Sequence, residues 1–331
     1  MHARVVVSVG PVAYRMGRPG LVDAACGIDQ NADCGTAVLE RGIGAGRLSG
    51  AAEARMDRPQ ADVPVTLPDF SDARAVARWR AEIHAIWGED DDPDVPSTPI
   101  ELDGVPCLDA GPADAPLVVY AHGGGFCLGS ARTAIPITAR LAQQLRVISV
   151  DYRLAPEHPY PAAVDDMVQV CRYLAADRIP YALAGDSAGA GIALCAAIKL
   201  RDSAAPGPNA LALLSPHLDH GSVRRHGPEI TELAALSRAY IGQHDAADPA
   251  VSPLGAVLRG LPPVLLQASE EEPLAPQSTA LSRRIRAGGG RCELDLWRGL
   301  WHAWHYHRDL PEADLALAEV RMFLLEHAKP R

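Results

Sequence analysis

Apolar side chains along this chain recur with two periods, and the change from one to the other divides the sequence into elements. From position 72 to 87, Ala75, Val76, Trp79, Ile83, Ile86 and Trp87 return every three or four residues. That spacing predicts an amphipathic helix opening after a Ser71 or Asp72 cap. After a loop over 89–96, two short strands are expected at 99–102 and 105–108, turning at Asp103-Gly104. Short apolar runs of strand length follow at 117–121, 147–150, 181–184, 211–214, 264–268 and 292–297. Between them the period predicts helices near 132–144, 163–175, 188–201 and 276–287, with a last one near 312–327. Alternation of this kind means βαβ units and a mostly parallel central sheet with helices on both faces. The stretch 216–253 returns no strand of its own, and an insertion of that size between two strands reads as a cap.

Composition narrows the class without altering this picture. With 48% apolar and 22% charged residues, the 331-residue chain has an ordinary globular make-up. Its 31 Lys and Arg against 41 Asp and Glu leave a net charge of −10. That balance argues against nucleic acid as a partner, because such binding needs clustered cations to displace counterions. The cluster Arg224-Arg225-His226 reads as a solvated loop. Seven cysteines, with no Cys-x-x-Cys pair and no Cys/His zinc spacing, support neither a disulfide framework nor a metal site. Cys107, Cys127, Cys171, Cys195 and Cys292 lie in apolar stretches, where a free thiol behaves as a small buried hydrophobe.

No apolar run approaches the ~20 residues that span a bilayer. Near the N-terminus, Pro11 and Arg15 interrupt Val5-Val6-Val7 before a signal peptide develops. The expectation is a cytoplasmic chain with no cofactor, no metal and no membrane span, a homodimer being left open. Residues 1–62 are rich in Gly, Ala and Arg and carry no sustained period, so a poorly ordered extension is expected there, with Met16 and Met56 as alternative starts. Gly42-Ile43-Gly44-Ala45-Gly46 invites a dinucleotide-loop reading that fails, because Arg47 stands where the third glycine would fall and no strand precedes it.

Candidate chemistry gathers at the ends of the expected strands. The run 181–184 leads into Gly185-Asp186-Ser187-Ala188-Gly189 and then directly into a helix. G-x-S-x-G in a strand-turn-helix setting is a nucleophile elbow, in which the glycines relieve a crowded turn and the serine stands at a helix N-terminus. The strand 117–121 opens into His122-Gly123-Gly124-Gly125-Phe126, where consecutive glycines let backbone N–H groups approach a substrate oxygen. Downstream, Glu270-Glu271-Glu272-Pro273-Leu274 follows one strand, and Gly299-Leu300-Trp301-His302-Ala303-Trp304 follows the next. The order Ser187, Glu272, His302 is the nucleophile, acid, base order of this arrangement. Glu270 and Glu271 are close enough to compete with Glu272, and His305 and His307 with His302, although the Gly299-x-x-His302 register selects His302.

On these blocks the chain resembles the hormone-sensitive-lipase branch of the α/β-hydrolase fold, the bacterial esterases with a His-Gly-Gly-Gly motif. The likeness covers about residues 70–328 and includes the run from Asp151-Tyr152-Arg153-Leu154-Ala155-Pro156-Glu157-His158-Pro159 to Ala163, Ser252-Pro253-Leu254 and Leu261-Pro262-Pro263. The resemblance implies an α/β-hydrolase domain over 63–331 with a helical cap from about 69–95 and 216–250. It implies Ser187 as nucleophile, His302 as base and acid, Glu272 as the acid of the triad, and an oxyanion hole from the N–H groups of Gly124, Gly125 and Ala188. The activity it implies is hydrolysis of a small-molecule ester, and a pocket lined by tryptophan near the expected base would suit small to medium acyl groups. An amide, N-acetyl or lactone substrate would use the same triad. A non-catalytic ligand receptor, as in a plant relative that lacks the base, is the rival class, and His302 argues against it. Within the scaffold, His122 is expected to order the oxyanion loop, Arg153 to pair with Glu157, Trp297 and Trp304 to pack, and Trp301 to wall the pocket.

Overall fold

A computed structural model of the chain describes residues 49–52, 67–87, 92, 95–222 and 231–328. Met16, Met56, the glycine run at 42–46 and the cluster Arg224-Arg225-His226 lie outside the described residues. Helix α1 (Ala73–Trp87) begins where expected: Asp72 Oδ1 accepts the free backbone N–H groups of Arg74 at 2.9 Å and Ala75 at 3.2 Å. Strands β1 (Ser97–Leu102) and β2 (Val105–Ala110) form a hairpin with Leu102 opposite Val105. Its two turn residues, Asp103 and Gly104, have φ of 50° and 82°, the left-handed pair that a tight hairpin requires.

From β2 onward strand and helix alternate: β3 (Leu117–Ala121), α2 (Ile135–Ala142), β4 (Arg146–Val150), α3 (Ala162–Ala176), β5 (Tyr181–Asp186), α4 (Ala188–Asp202) and β6 (Leu211–Leu214). Then come α5 (Thr231–Ile241), β7 (Val264–Ser269), α6 (Ala275–Ala287), β8 (Cys292–Trp297) and α7 (Pro311–His327). The eight strands lie in the order β1-β2-β4-β3-β5-β6-β7-β8, with β2 antiparallel to β1 and β4 and every later neighbour parallel. This is the α/β-hydrolase fold. Helix α2 is shorter than its apolar pattern suggests, starting with Pro136 in its first turn, where a missing N–H costs nothing.

Every residue of β3, β5, β6 and β7 is buried, as a sheet covered on both faces demands. The strand period then sorts side chains between two cores. Leu117, Val119 and Ala121 join the layer of α1, α3 and α4, whereas Val118 and Tyr120 pack with Ile137 and Leu141 of α2 and Leu317, Val320 and Leu324 of α7. The five cysteines expected in the interior are all buried and unbridged. No helix among the described residues is long and apolar enough to cross a membrane.

Residues 49–52 fall inside the segment expected to be poorly ordered, and they are docked on α7. Ser49 N and Oγ both bond the Glu312 carboxylate at 2.8 Å, and Ala52 is wholly buried beside Trp297, Leu300, Trp301 and Trp304. Helices α1 and α5 pack on the loop after β3. Arg80 of α1 donates to the carbonyls of Cys127 and Ala155 at 2.8 Å each, and Leu236 of α5 lies against Gly125.

Candidate active site

The turn between β5 and α4 is a single residue. Ser187 sits there with φ 49° and ψ −115°, a conformation costing on the order of 1–3 kcal/mol that persists only where the surroundings enforce it. Three backbone bonds do so: Ser187 N–H donates to Leu214 O at 2.8 Å, and Ser187 O accepts from Gly191 N at 3.3 Å and His217 N at 3.0 Å. Gly189 belongs to the same device. A Cβ there would run into the backbone oxygens of Ala121 and His122, so only glycine lets α4 start this close to the end of β3.

Ser187, 8% exposed, meets one side chain from a distant loop, and that side chain meets a second from another loop. His302 Nε2 lies 2.9 Å from Ser187 Oγ, and His302 Nδ1 lies 2.9 Å from Glu272 Oε2. The carboxylate can only accept, so Nδ1 carries the proton and Nε2 offers its lone pair to the serine hydroxyl. Glu272 is fully buried in its side chain, whereas the His302 ring is 18% exposed. The other two glutamates are engaged elsewhere. Glu270 pairs with Arg298 at 2.9 Å on the surface, and Glu271 accepts the Ser269 hydroxyl at 2.8 Å.

The glycine loop after β3 is held from below and from the side. Asp186 Oδ1, one residue before the serine, accepts Gly123 N–H at 2.9 Å and Tyr120 O–H at 2.7 Å, and Tyr306 donates to the same carboxylate. Burial pushes the Asp186 carboxyl up to about 6, and these three donors oppose that rise. His122 donates from Nδ1 to Gly123 O at 2.7 Å and stacks on Tyr152 at 4.1 Å, while Tyr152 O–H bonds His122 O at 2.6 Å. Burial lowers His122 to about 4, so its ring is neutral. Gly124 and Gly125, with φ of 121° and 60°, carry the loop past the serine. Ala188 is the first residue of α4, where an N–H has no partner within the helix.

Two sequence expectations change here. Arg153 does not pair with Glu157: it grips Asp166 at 2.7 and 3.0 Å, and Glu157 instead takes both nitrogens of Arg80 at 2.7 and 2.9 Å. A four-residue separation does not bring two side chains together where the chain is not helical. Trp301 does not wall a pocket. It is 2% exposed, donates Nε1 to His307 Nε2 at 3.0 Å, and packs with Ala52, Trp297 and Trp304 behind the His302 loop. His305, likewise buried, bonds Gln267 Oε1 at 3.2 Å and stacks on Trp304 at 3.9 Å. Burial lowers it to about 3. Sequence reasoning quoted Asp186 without giving it a part, and passed over Tyr120, Tyr306 and Arg80. A carboxylate next to the motif serine was the one available signal.

Residues 118–306 match a family described as having the alpha/beta hydrolase fold. An acetyl-hydrolase of Streptomyces hygroscopicus is 35% identical over 226 residues, which is 64% of this chain and 76% of the relative. An esterase of Acinetobacter venetianus is 34% identical over 249 residues, covering 70% and 82% of the two chains. Among solved structures, an esterase from the bacterial hormone-sensitive lipase family superposes with a TM-score of 0.71 at 32% identity, covering 77% of this chain and 92% of that one.

Proposed function

The chain belongs to the α/β-hydrolase family as a carboxylic-ester hydrolase of the bacterial hormone-sensitive-lipase group, and from that premise we propose that Ser187, His302 and Glu272 carry out the reaction through an acyl-enzyme. The observation that carries this reading is the continuous relay of 2.9 Å contacts from Glu272 Oε2 through His302 to Ser187 Oγ. His302 Nε2 takes the hydroxyl proton as Oγ attacks the ester carbonyl. The new C–O bond pushes the carbonyl electron pair onto oxygen, which the N–H groups of Gly124, Gly125 and Ala188 receive. Removing one such donor costs about 3 kcal/mol in comparable sites. Collapse of the intermediate expels the alcohol, which leaves with the proton from Nε2. Water, deprotonated by the same nitrogen, then releases the acid. Glu272 stays ionised, fixes the tautomer and stabilises the imidazolium.

Helices α1 and α5, from the segments 69–95 and 216–250, act as the cap in this reading. Support comes from the grip of Arg80 on Cys127 O and from the seat of Leu236 on Gly125. Phe126 stacks on Tyr240 at 4.0 Å and Leu236 lies against Gly125, so the glycine loop is packed in apolar side chains. A relative named acetyl-hydrolase supports a small to medium acyl group. A fluorophosphonate probe followed by peptide mapping tests the assignment: label on Ser187, and none in Ser187→Ala, is expected. Label on another residue of active protein overturns it.

A further inference from the structure

Asp186 closes β5, and the register of that strand fixes what it meets. Ala121 of β3 pairs with Gly185, so the next residue of β5 stands against His122-Gly123, where the glycine loop begins. Asp186 is 1% exposed, and its carboxylate accepts donors from three separate segments. Oδ1 takes the Tyr120 hydroxyl at 2.7 Å and the Gly123 N–H at 2.9 Å, and the same group takes the hydroxyl of Tyr306, four residues beyond His302. One buried carboxylate, next in sequence to Ser187, thereby ties the nucleophile turn to the glycine loop on one side and to the histidine loop on the other.

Gly123 is shaped for this contact. Unlike Gly124 and Gly125 it is not in the left-handed region, so its backbone would accept a side chain. What excludes one is the carboxylate, because a Cβ at Gly123 would collide with Asp186 Oδ2. Its N–H is spent on Asp186 and is not offered to a substrate oxygen. The first glycine of the run is therefore a seat for the carboxylate, and the two that follow it are the donors of the oxyanion hole proposed above.

Resting on that reading of the function, we propose that Asp186 is a positioning residue for hydrolysis: ionised, it draws Gly123 and Tyr306 together beside Ser187 and so sets the spacing of the oxyanion donors and of the His302 loop from the nucleophile. Ionisation matters because a carboxylate only accepts, and its charged hydrogen bonds are about twice as strong as neutral ones. The protonated acid carries a donor of its own and resembles an asparagine amide, with one acceptor oxygen and one donor. The ionisable groups around it are Tyr120, Tyr152 and Tyr306, whose hydroxyls burial keeps protonated, and His302. Burial raises the Asp186 carboxyl to about 6 against the three donors and a His302 cation, so the acid prevails near pH 5 and the carboxylate at pH 8.

The test compares the full wild-type chain with Asp186→Asn, both normalised to titrated active sites, on p-nitrophenyl acetate between about pH 5 and pH 8. His302 titrates in both proteins, so the ratio of their kcat/KM values isolates Asp186. At pH 8 the wild type should lead by about tenfold, carried by kcat with KM within about twofold, because the spacing acts on the transition state. Near pH 5 the ratio should fall close to one. Gly123→Ala, which displaces the carboxylate while leaving it in the chain, should lower kcat by a similar factor. Combined with Asp186→Ala, it should cost less than the product of the two single losses. A ratio that stays constant with pH, or near one throughout, overturns the proposal. Should Asp186→Asn fail to fold, multiplicative losses in the Gly123→Ala pair overturn it instead. If wild-type Ser187 still takes the fluorophosphonate label in those cases, the hydrolase assignment stands and only the positioning role falls. A wild-type protein with neither label nor hydrolysis would strike the assignment itself.

Discussion

The loops after β3 and β8 both open beside a histidine and a glycine, yet the structure uses them in opposite ways. His122 is wholly buried, braced by a backbone carbonyl and a tyrosine ring, and its loop is the one proposed to offer main-chain N–H groups to the substrate. His302 keeps part of its ring open to solvent and holds a carboxylate on one nitrogen and a hydroxyl on the other. A histidine serves proton transfer only where one nitrogen is fixed and the other can reach a reacting atom; a ring dried on all sides becomes a brace.

The sharpest way to break this contrast is to remove each ring. His302→Ala should lower kcat/KM by about 10⁴ or more, the scale of triad deletions. His122→Phe, which loses the bond to Gly123 O, should lower it by about tenfold, from one weakened hydrogen bond, without changing the shape of the pH profile. Equal losses measured by steady-state kinetics would erase the distinction between base and brace.

The three consecutive glutamates give a second contrast within one loop. Glu272→Gln should cost about 10⁴ in kcat, because the wrong tautomer of His302 results. Glu270→Gln and Glu271→Gln, whose partners are Arg298 and Ser269, should stay within about threefold of wild type. A severe loss in either of the latter two would reassign the acid.

A smaller effect separates the buried carboxylates. Asp186 has a folded-state value of about 6, above its ordinary one, so its ionised form is disfavoured by folding. Its contribution to stability therefore becomes less favourable as pH rises from about 4 to about 6 and then levels off. An asparagine amide in its place does not ionise, so the variant lacks this pH dependence. The melting temperature of Asp186→Asn relative to wild type should accordingly rise by a few degrees between pH 4.5 and pH 7.5. Parallel melting profiles for the two proteins would contradict the assignment.

Much of the molecule was legible in the chain. The strands at 117–121 and 211–214 lie where their apolar runs predict, because a strand buried on both faces needs an uninterrupted run and nothing else. The elbow was legible because its geometry admits few residues: Gly189 sits where a side chain would strike the end of β3. The brace on the glycine loop was not, because Tyr120, Asp186, Tyr306 and Arg80 come from four separate elements and carry no spacing signal. Nor was the docking of residues 49–52, since one buried alanine and one serine leave no periodic trace.

Sequence alone therefore determined the layered sheet and the serine turn, since each depends on local backbone sterics or on a short apolar run. Tertiary structure decided which of three glutamates faces His302, which aromatic residues pack behind it, and which imidazoles stay dry. Those outcomes turn on burial and on partners brought from distant segments, and single angstroms of approach separate a catalytic contact from a structural one.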